Sequence, residues 1–148
     1  MKKIFFILLF LSSCGYQPIY INKNLENFEF QEINLVGEKD INNKIINSLA
    51  LKENKIKDNL NTLLISSSTQ IEETAKSKEG QVKSFRTIVS VKLEIRNIKD
   101  DIIKSKNFFK EFTYNNKQNK FELVEYQSSI KNDLVDKIVG EIIIYLNL

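Results

Sequence analysis

Few residues in this 148-residue chain can do covalent or acid–base chemistry. It has one cysteine, Cys14, and no histidine. A thiol works as a catalytic nucleophile, a metal ligand or half of a disulfide only beside a base, further ligands or a second cysteine. Without histidine or spare cysteine, only an all-oxygen metal site is open. The acid pairs Glu72-Glu73 and Asp100-Asp101 remain as general acids or bases. Adjacent acids in a strand point to opposite faces, and in a turn they are solvated, so neither pair makes a convergent dyad. The four glycines, at 15, 37, 80 and 140, are scattered and form no phosphate cradle. The expectation is binding and positioning: no enzyme, no metal and no cofactor.

Charge narrows the partners. The formal charge is +3, and when Lys2 and Lys3 are set aside with the leader, 20 basic residues face 19 acidic ones. That balance excludes a strongly basic nucleic-acid binder.

Residues 1–13 read as a leader, "MKK" followed by the apolar run "IFFILLFL". A membrane-spanning helix needs about 20 apolar residues, so this run has the dimensions of a secretory signal peptide rather than a span. Leu11-Ser12-Ser13-Cys14 follows directly and resembles the bacterial lipobox. The resemblance implies that the Cys14 thiol carries diacylglycerol, that the leader is removed before it, and that the new amino group is acylated. Several acyl chains anchor stably, since each buried methylene contributes about 0.8 kcal/mol. Gly15 takes the place of the aspartate that in such lipoproteins signals inner-membrane retention, which implies an outer-membrane location at the periplasmic leaflet. Residues 14–27 read as the acylated cysteine and a tether, with Pro18 biasing Gln17 toward extended geometry. Alternatively, some of Ile19, Tyr20 and Ile21 pack on the domain that follows, residues 28–148.

The domain alternates strand and helix. "FEFQEINLV", 28 to 36, alternates apolar and polar with a phase slip between Phe30 and Ile33, the mark of a strand with a bulge or an edge. Gly37 supplies a turn and Asp40 an N-cap. Ile41, Ile45 and Leu49 then give an amphipathic helix ending near Leu51 to Lys55. Residues 60–74 read as a strand with an internal serine run, and Glu79-Gly80 as a hairpin loop. In the next strand Phe85, Thr87, Val89, Val91, Leu93 and Ile95 share one face, while Arg86, Ile88, Ser90, Lys92, Glu94 and Arg96 share the other. Residues 102–114 form a further strand. Phe108 and Phe109 are adjacent there, so either a bulge intervenes or one ring is exposed. From 121 to 147, Tyr126, Ile130, Leu134, Ile138, Ile142 and Leu146 recur every fourth residue in a long amphipathic helix. Its phase puts Leu134 and Ile138 inside and Lys131 where Lys131→Glu is tolerated. The fold class that follows is α+β, a two-layer sandwich of a four-stranded, mostly antiparallel sheet with two helices on one face, in the order β-α-β-β-β-α.

"CGYQPIY" behind the lipobox resembles the start of the mature LPS-assembly lipoproteins, the LptE family, and the element order is similar to that family's. The resemblance implies a non-enzymatic outer-membrane lipoprotein. Such a protein plugs a large β-barrel translocon of the LptD type, helps it assemble and assists lipopolysaccharide insertion into the outer leaflet. Lipopolysaccharide phosphates need cations, and charge and placement single out Lys76, Lys78 and Lys83 around the hairpin with Arg86 and Arg96 on the polar strand face. The same alternation of charge also describes a plain solvated face. Phe108, Phe109, Phe112 and Tyr114 read either as core or as a patch for a barrel wall or lipid. Two rivals stand beside this reading: an auxiliary lipoprotein of a lipid-transporting ABC system, and a structural lipoprotein that binds cell wall or another assembly factor.

Overall fold

The computed structural model describes residues 28–56 and 59–147, so the stretches read as a signal peptide, 1–13, and as an acylated cysteine and tether, 14–27, lie outside the described residues. The phase slip after Phe30 is a division of the chain at Gln31. Glu29–Phe30 (β1) pairs in parallel with Lys52–Glu53 (β3), a two-residue strand that the sequence pattern does not announce. Glu32–Gly37 (β2) belongs to the main sheet and is its edge.

Lys39–Leu49 (α1) buries Ile41, Ile45 and Leu49 at the expected four-residue spacing. The N-cap is Glu38, in extended geometry and without a side-chain cap bond, rather than Asp40, which sits in the first turn. The helix also stops earlier than its pattern suggests. Ala50 takes a left-handed φ of 49°, and its N–H donates to Asn47 O while Leu51 N–H donates to Ile46 O, closing the end one residue past Leu49.

Thr62–Lys76 (β4), Val82–Arg96 (β5) and Ile102–Asn115 (β6) are long strands, and Lys120–Leu146 (α2) closes the fold. The sheet order is β2-β4-β5-β6, with β2 and β4 parallel and the other pairs antiparallel. The parallel pair is the one joined through α1, as a parallel connection requires a crossover. The expected two-layer α+β sandwich is the observed architecture, with the small β1–β3 pair added to it.

Both helices cover the same sheet face. Leu63 and Ile65 of β4 and Val89, Val91 and Leu93 of β5 meet Ile41, Ile45 and Leu49 of α1 and Ile130, Leu134, Ile138 and Ile142 of α2 in one buried cluster. Buried within the same layer, the Thr87 and Tyr114 hydroxyls are 3.1 Å apart and satisfy each other. Phe108 points into this core and Phe109 out of it, on a β6 whose register with β5 is unbroken there. The exposed ring, not a bulge, therefore accounts for the adjacent phenylalanines.

β6 is the second sheet edge, and lysines join it to α2. Lys110 pairs with Glu141, and Lys104 Nζ donates to Tyr145 O at 2.9 Å, satisfying a carbonyl in the last turn of α2 where a cation is favoured.

Lys131 is not a free surface position. From α2 its Nζ reaches Asp40 Oδ2 at 2.5 Å and Glu38 Oε2 at 3.5 Å, tying the two helices together. The hydrogen bond to Lys131 lowers the Asp40 pKa, and the same bond raises that of Lys131. Lys131→Glu would crowd three carboxylates, so the expectation of tolerance is corrected to a loss of about 1 kcal/mol, discounted because Asp40 is largely exposed. Urea unfolding checks this. Since the folded-state pKa of Asp40 lies below its unfolded value, the pair contributes fully above the ordinary aspartate range. The advantage of wild type over Lys131→Met should fade as pH falls through that lowered pKa.

Candidate interaction surface

The face of the sheet away from the helices has no covering layer among the described residues. Its cross-strand rows follow from the register: Ser68, Ser90 and Phe109 lie side by side, then Ser66, Lys92 and Asn107, and on the other side Gln70, Ile88 and Glu111. The serine run in β4 thus lines up with Ser90 to floor a shallow groove of about 520 Å³, walled by Phe109, Asn107 and Lys92. Phe109 is 64% exposed. Hydroxyls, an amide, one ammonium and one aromatic face can hydrogen-bond and stack, but no nucleophile and base converge there.

The candidate cations fall at opposite ends of this face. Arg86 and Arg96 share it but stand ten residues apart on β5, about 33 Å at the usual strand rise, too far to grip one phosphate group together. The Arg96 guanidinium is occupied: Nη1 donates to both Asp100 carboxylate oxygens at 3.1 and 3.2 Å, and Nη2 to Glu94 Oε2 at 3.1 Å. Lys92 pairs with Glu94 as well. Hydrogen bonds from Lys92 and then Arg96 lower the pKa of Glu94, and those to Glu94 and then Asp100 raise that of Arg96. Arg86 is looser, 3.8 Å from Glu111 Oε2, while the Nε of both arginines is buried without a hydrogen-bond partner. Lys78 in the hairpin turn and Lys83 at the start of β5 are exposed at the same end as Arg86. Lys76, also there, is paired with Glu73 at 2.9 Å.

The acid pairs have structural partners. Glu72 lies opposite Arg86 across the β4–β5 ladder, whereas Glu73 turns to the other face and Lys76. Asp100 is held by Arg96, and Asp101 Oδ2 accepts from Asn97 Nδ2 at 3.2 Å.

A second patch contains Phe112, one of the aromatics read from the sequence as core or patch, with three residues that the sequence pattern does not mark as exposed. Toward the hairpin end Phe112 and Tyr126 lie beside a pocket of about 140 Å³, and Ile71 and Val124 beside one of about 230 Å³. Their spacing in β4, β6 and α2 is that of core positions. Their exposure reflects incomplete cover between α2 and this end of the sheet, which no local signal encodes.

No family model and no curated protein matches the sequence. Solved structures do match the fold. The solution structure of an uncharacterized lipoprotein B from Nitrosomonas europaea aligns with a TM-score of 0.57 at 10% identity, covering 86% of this chain and 88% of that one. A minor lipoprotein from Acinetobacter baumannii gives 0.56 at 12% identity over 78% and 90%. The rare lipoprotein B from Shewanella oneidensis gives 0.54 at 10% identity over 75% and 92%. At these identities the likeness is one of fold: the chain has the α+β architecture of this group of bacterial lipoproteins.

Proposed function

We propose that this protein is an outer-membrane lipoprotein, acylated at Cys14, that plugs and helps assemble an LptD-type β-barrel through which lipopolysaccharide reaches the outer leaflet. The observation that carries the reading is the fold shared with solved bacterial lipoproteins, on a chain whose leader ends in Leu11-Ser12-Ser13-Cys14 and continues "GYQPIY". The uncovered sheet face supports it. A polar, serine-lined surface of mixed charge suits the water-lined interior of a wide barrel, whose inward residues are polar. The role is binding, not catalysis. Arg86, with Lys78 and Lys83 at its end of the sheet, is the better candidate for lipopolysaccharide phosphates. Arg96 would first have to leave Glu94 and Asp100.

Two results follow. Cys14→Ala should be exported but take up no palmitate in metabolic labelling, and persistent label would remove the lipid anchor from the account. Depletion of the protein should lower the amount of correctly assembled barrel and of lipopolysaccharide at the cell surface. Unchanged surface lipopolysaccharide would contradict the assembly role.

A further inference from the structure

One place in the sheet is unfilled. β2 runs beside β4 only from Thr62 to Ser67, because the chain leaves the sheet at Gly37 to enter α1, while β4 continues to Lys76 with β5 on its other side. Successive residues of a strand turn their backbone N–H and C=O groups to opposite edges. Asn61 O accepts Gln31 N–H and Ser67 O accepts Glu38 N–H, so the odd-numbered residues of β4 face the β2 side. The register with β5 is unbroken from Thr62 to Glu73. Thr69, Ile71 and Glu73 therefore turn their backbone groups to the same edge, and no strand pairs with them there among the described residues.

The side chains of this half-strand on the helix face border the pocket of about 230 Å³, which Val124 of α2 walls on the far side. Ile71 is 48% exposed beside it, and Thr69 Oγ1 is buried there without a hydrogen-bond partner. The other open edge, β6, is differently equipped. It carries Lys104, Lys106 and Lys110, and lysines on an edge strand guard it against pairing, whereas β4 has no lysine from 68 to 75.

We propose that this open half of the β4 edge receives an extended segment of another protein, which pairs as a strand with Thr69, Ile71 and Glu73. An aliphatic side chain of that segment stands opposite Ile71, over the pocket, and a hydrogen-bonding one stands opposite Thr69. Backbone donors and acceptors that recur at every second residue are met in full only by another strand, which is what selects a polypeptide as the occupant. The place is short, about seven residues at the usual strand rise, from Ser68, beyond the end of β2, to Thr74, where the β4–β5 register shifts. A second copy of this chain does not fit it. Antiparallel pairing of two β4 strands about Ile71 would set the other copy's Ala75 and Lys76 level with Ser67 and Ser66, where Gly37 and Val36 of β2 already lie. Sliding the copies apart by one or two residues sets Glu72 against Glu72 or Glu73 against Glu73, and like charges directly opposed are unfavourable.

The test is amide hydrogen exchange, read residue by residue by nuclear magnetic resonance on the isotope-labelled full chain in detergent micelles. The probe is the peptide Ser-Thr-Ser-Val-Ser-Thr-Ser with blocked ends, which offers valine to Ile71 and threonine to Thr69 in either direction. Without it, the amides of Thr69, Ile71 and Glu73 should exchange about a hundredfold faster than those of Ser68, Gln70 and Glu72, which face β5. Saturating peptide should slow the first three and leave the others unchanged. The same peptide methylated on every backbone nitrogen, which cannot donate, should bind about tenfold more weakly. Ile71→Lys, which puts a guarding lysine on the exposed position, should weaken binding about tenfold with the melting midpoint unchanged. No slowing by the peptide, or equal binding of its methylated form, overturns the proposal. Slow exchange at the three residues in the dilute chain alone also overturns it, because the edge is then filled by the chain itself, and slow exchange that appears only as the protein is concentrated assigns the edge to a second copy instead.

Discussion

Ile138→Asp unfolds the domain. Ile138 is fully buried, one turn from Leu134 and from Ile142 on the face of α2 that closes the core. A carboxylate there has no cation or donor to meet, so it stays charged at the cost of desolvation or becomes protonated at the cost of its raised pKa. Losses of that kind reach about 4–5 kcal/mol or more, against a total stability of about 5–15 kcal/mol for a domain of this size. The expected readout is loss of the cooperative thermal transition and of near-ultraviolet dichroism. Ile138→Val, which removes one methylene, should cost only about 1 kcal/mol. A folded Ile138→Asp protein would mean that α2 is rotated from the face described above.

The second large effect is expected at Gly37. Its φ is +89°, and a Cβ built there would stand 1.9 Å from the backbone oxygen of Ser67, its partner across the parallel β2–β4 pair. The same Ser67 oxygen accepts Glu38 N–H at 3.3 Å, and Ser67 Oγ donates to Glu38 O at 3.2 Å, so the neighbour is backbone held in place and cannot swing away. Gly37→Ala must therefore peel the end of β2 from the sheet, at a cost of about 3 kcal/mol or more. Gly80 supplies the control. Its φ is +81° but nothing lies within 4 Å of an added Cβ, so Gly80→Ala should cost only the left-handed strain, about 1–2 kcal/mol. Chemical denaturation of the two variants separates the clash from the backbone strain. Equal losses would contradict the close approach at Ser67.

These positions show which parts of the fold local pattern encodes. The four-residue recurrence from Ile130 to Ile142 is a burial pattern, and each of those residues on the main stripe is buried. The same recurrence includes Tyr126, which is 37% exposed beside the pocket that it lines with Phe112. The two faces of β5 were legible from strict alternation, which a strand covered on one side enforces. β3 was not, because a two-residue ladder depends on where the backbone of β1 happens to lie and leaves no period in Lys52 and Glu53. Glu38 and Asp40 differ as caps only through backbone geometry, and Lys131 acquires its partners from a helix 91 residues away.

The surface was legible in part. Charge alternation placed Arg86 and Arg96 on the open face, but the Asn97–Asp101 turn brings Asp100 back onto Arg96. Asn97 Oδ1 accepts the N–H groups of Lys99 and Asp101, and Asp100 takes a φ of 66°. The groove needed the register itself. Ser68, Ser90 and Phe109 meet only because three strands align at that row, and a one-residue slip would turn the serines to the other face.

The most direct test of the central claim is gentle detergent co-purification of the tagged protein from native membranes, with any stoichiometric partner identified by mass spectrometry. The account predicts one large outer-membrane β-barrel recovered at a one-to-one ratio. Recovery of an inner-membrane ABC complex in its place, or of the tagged protein alone, would contradict it.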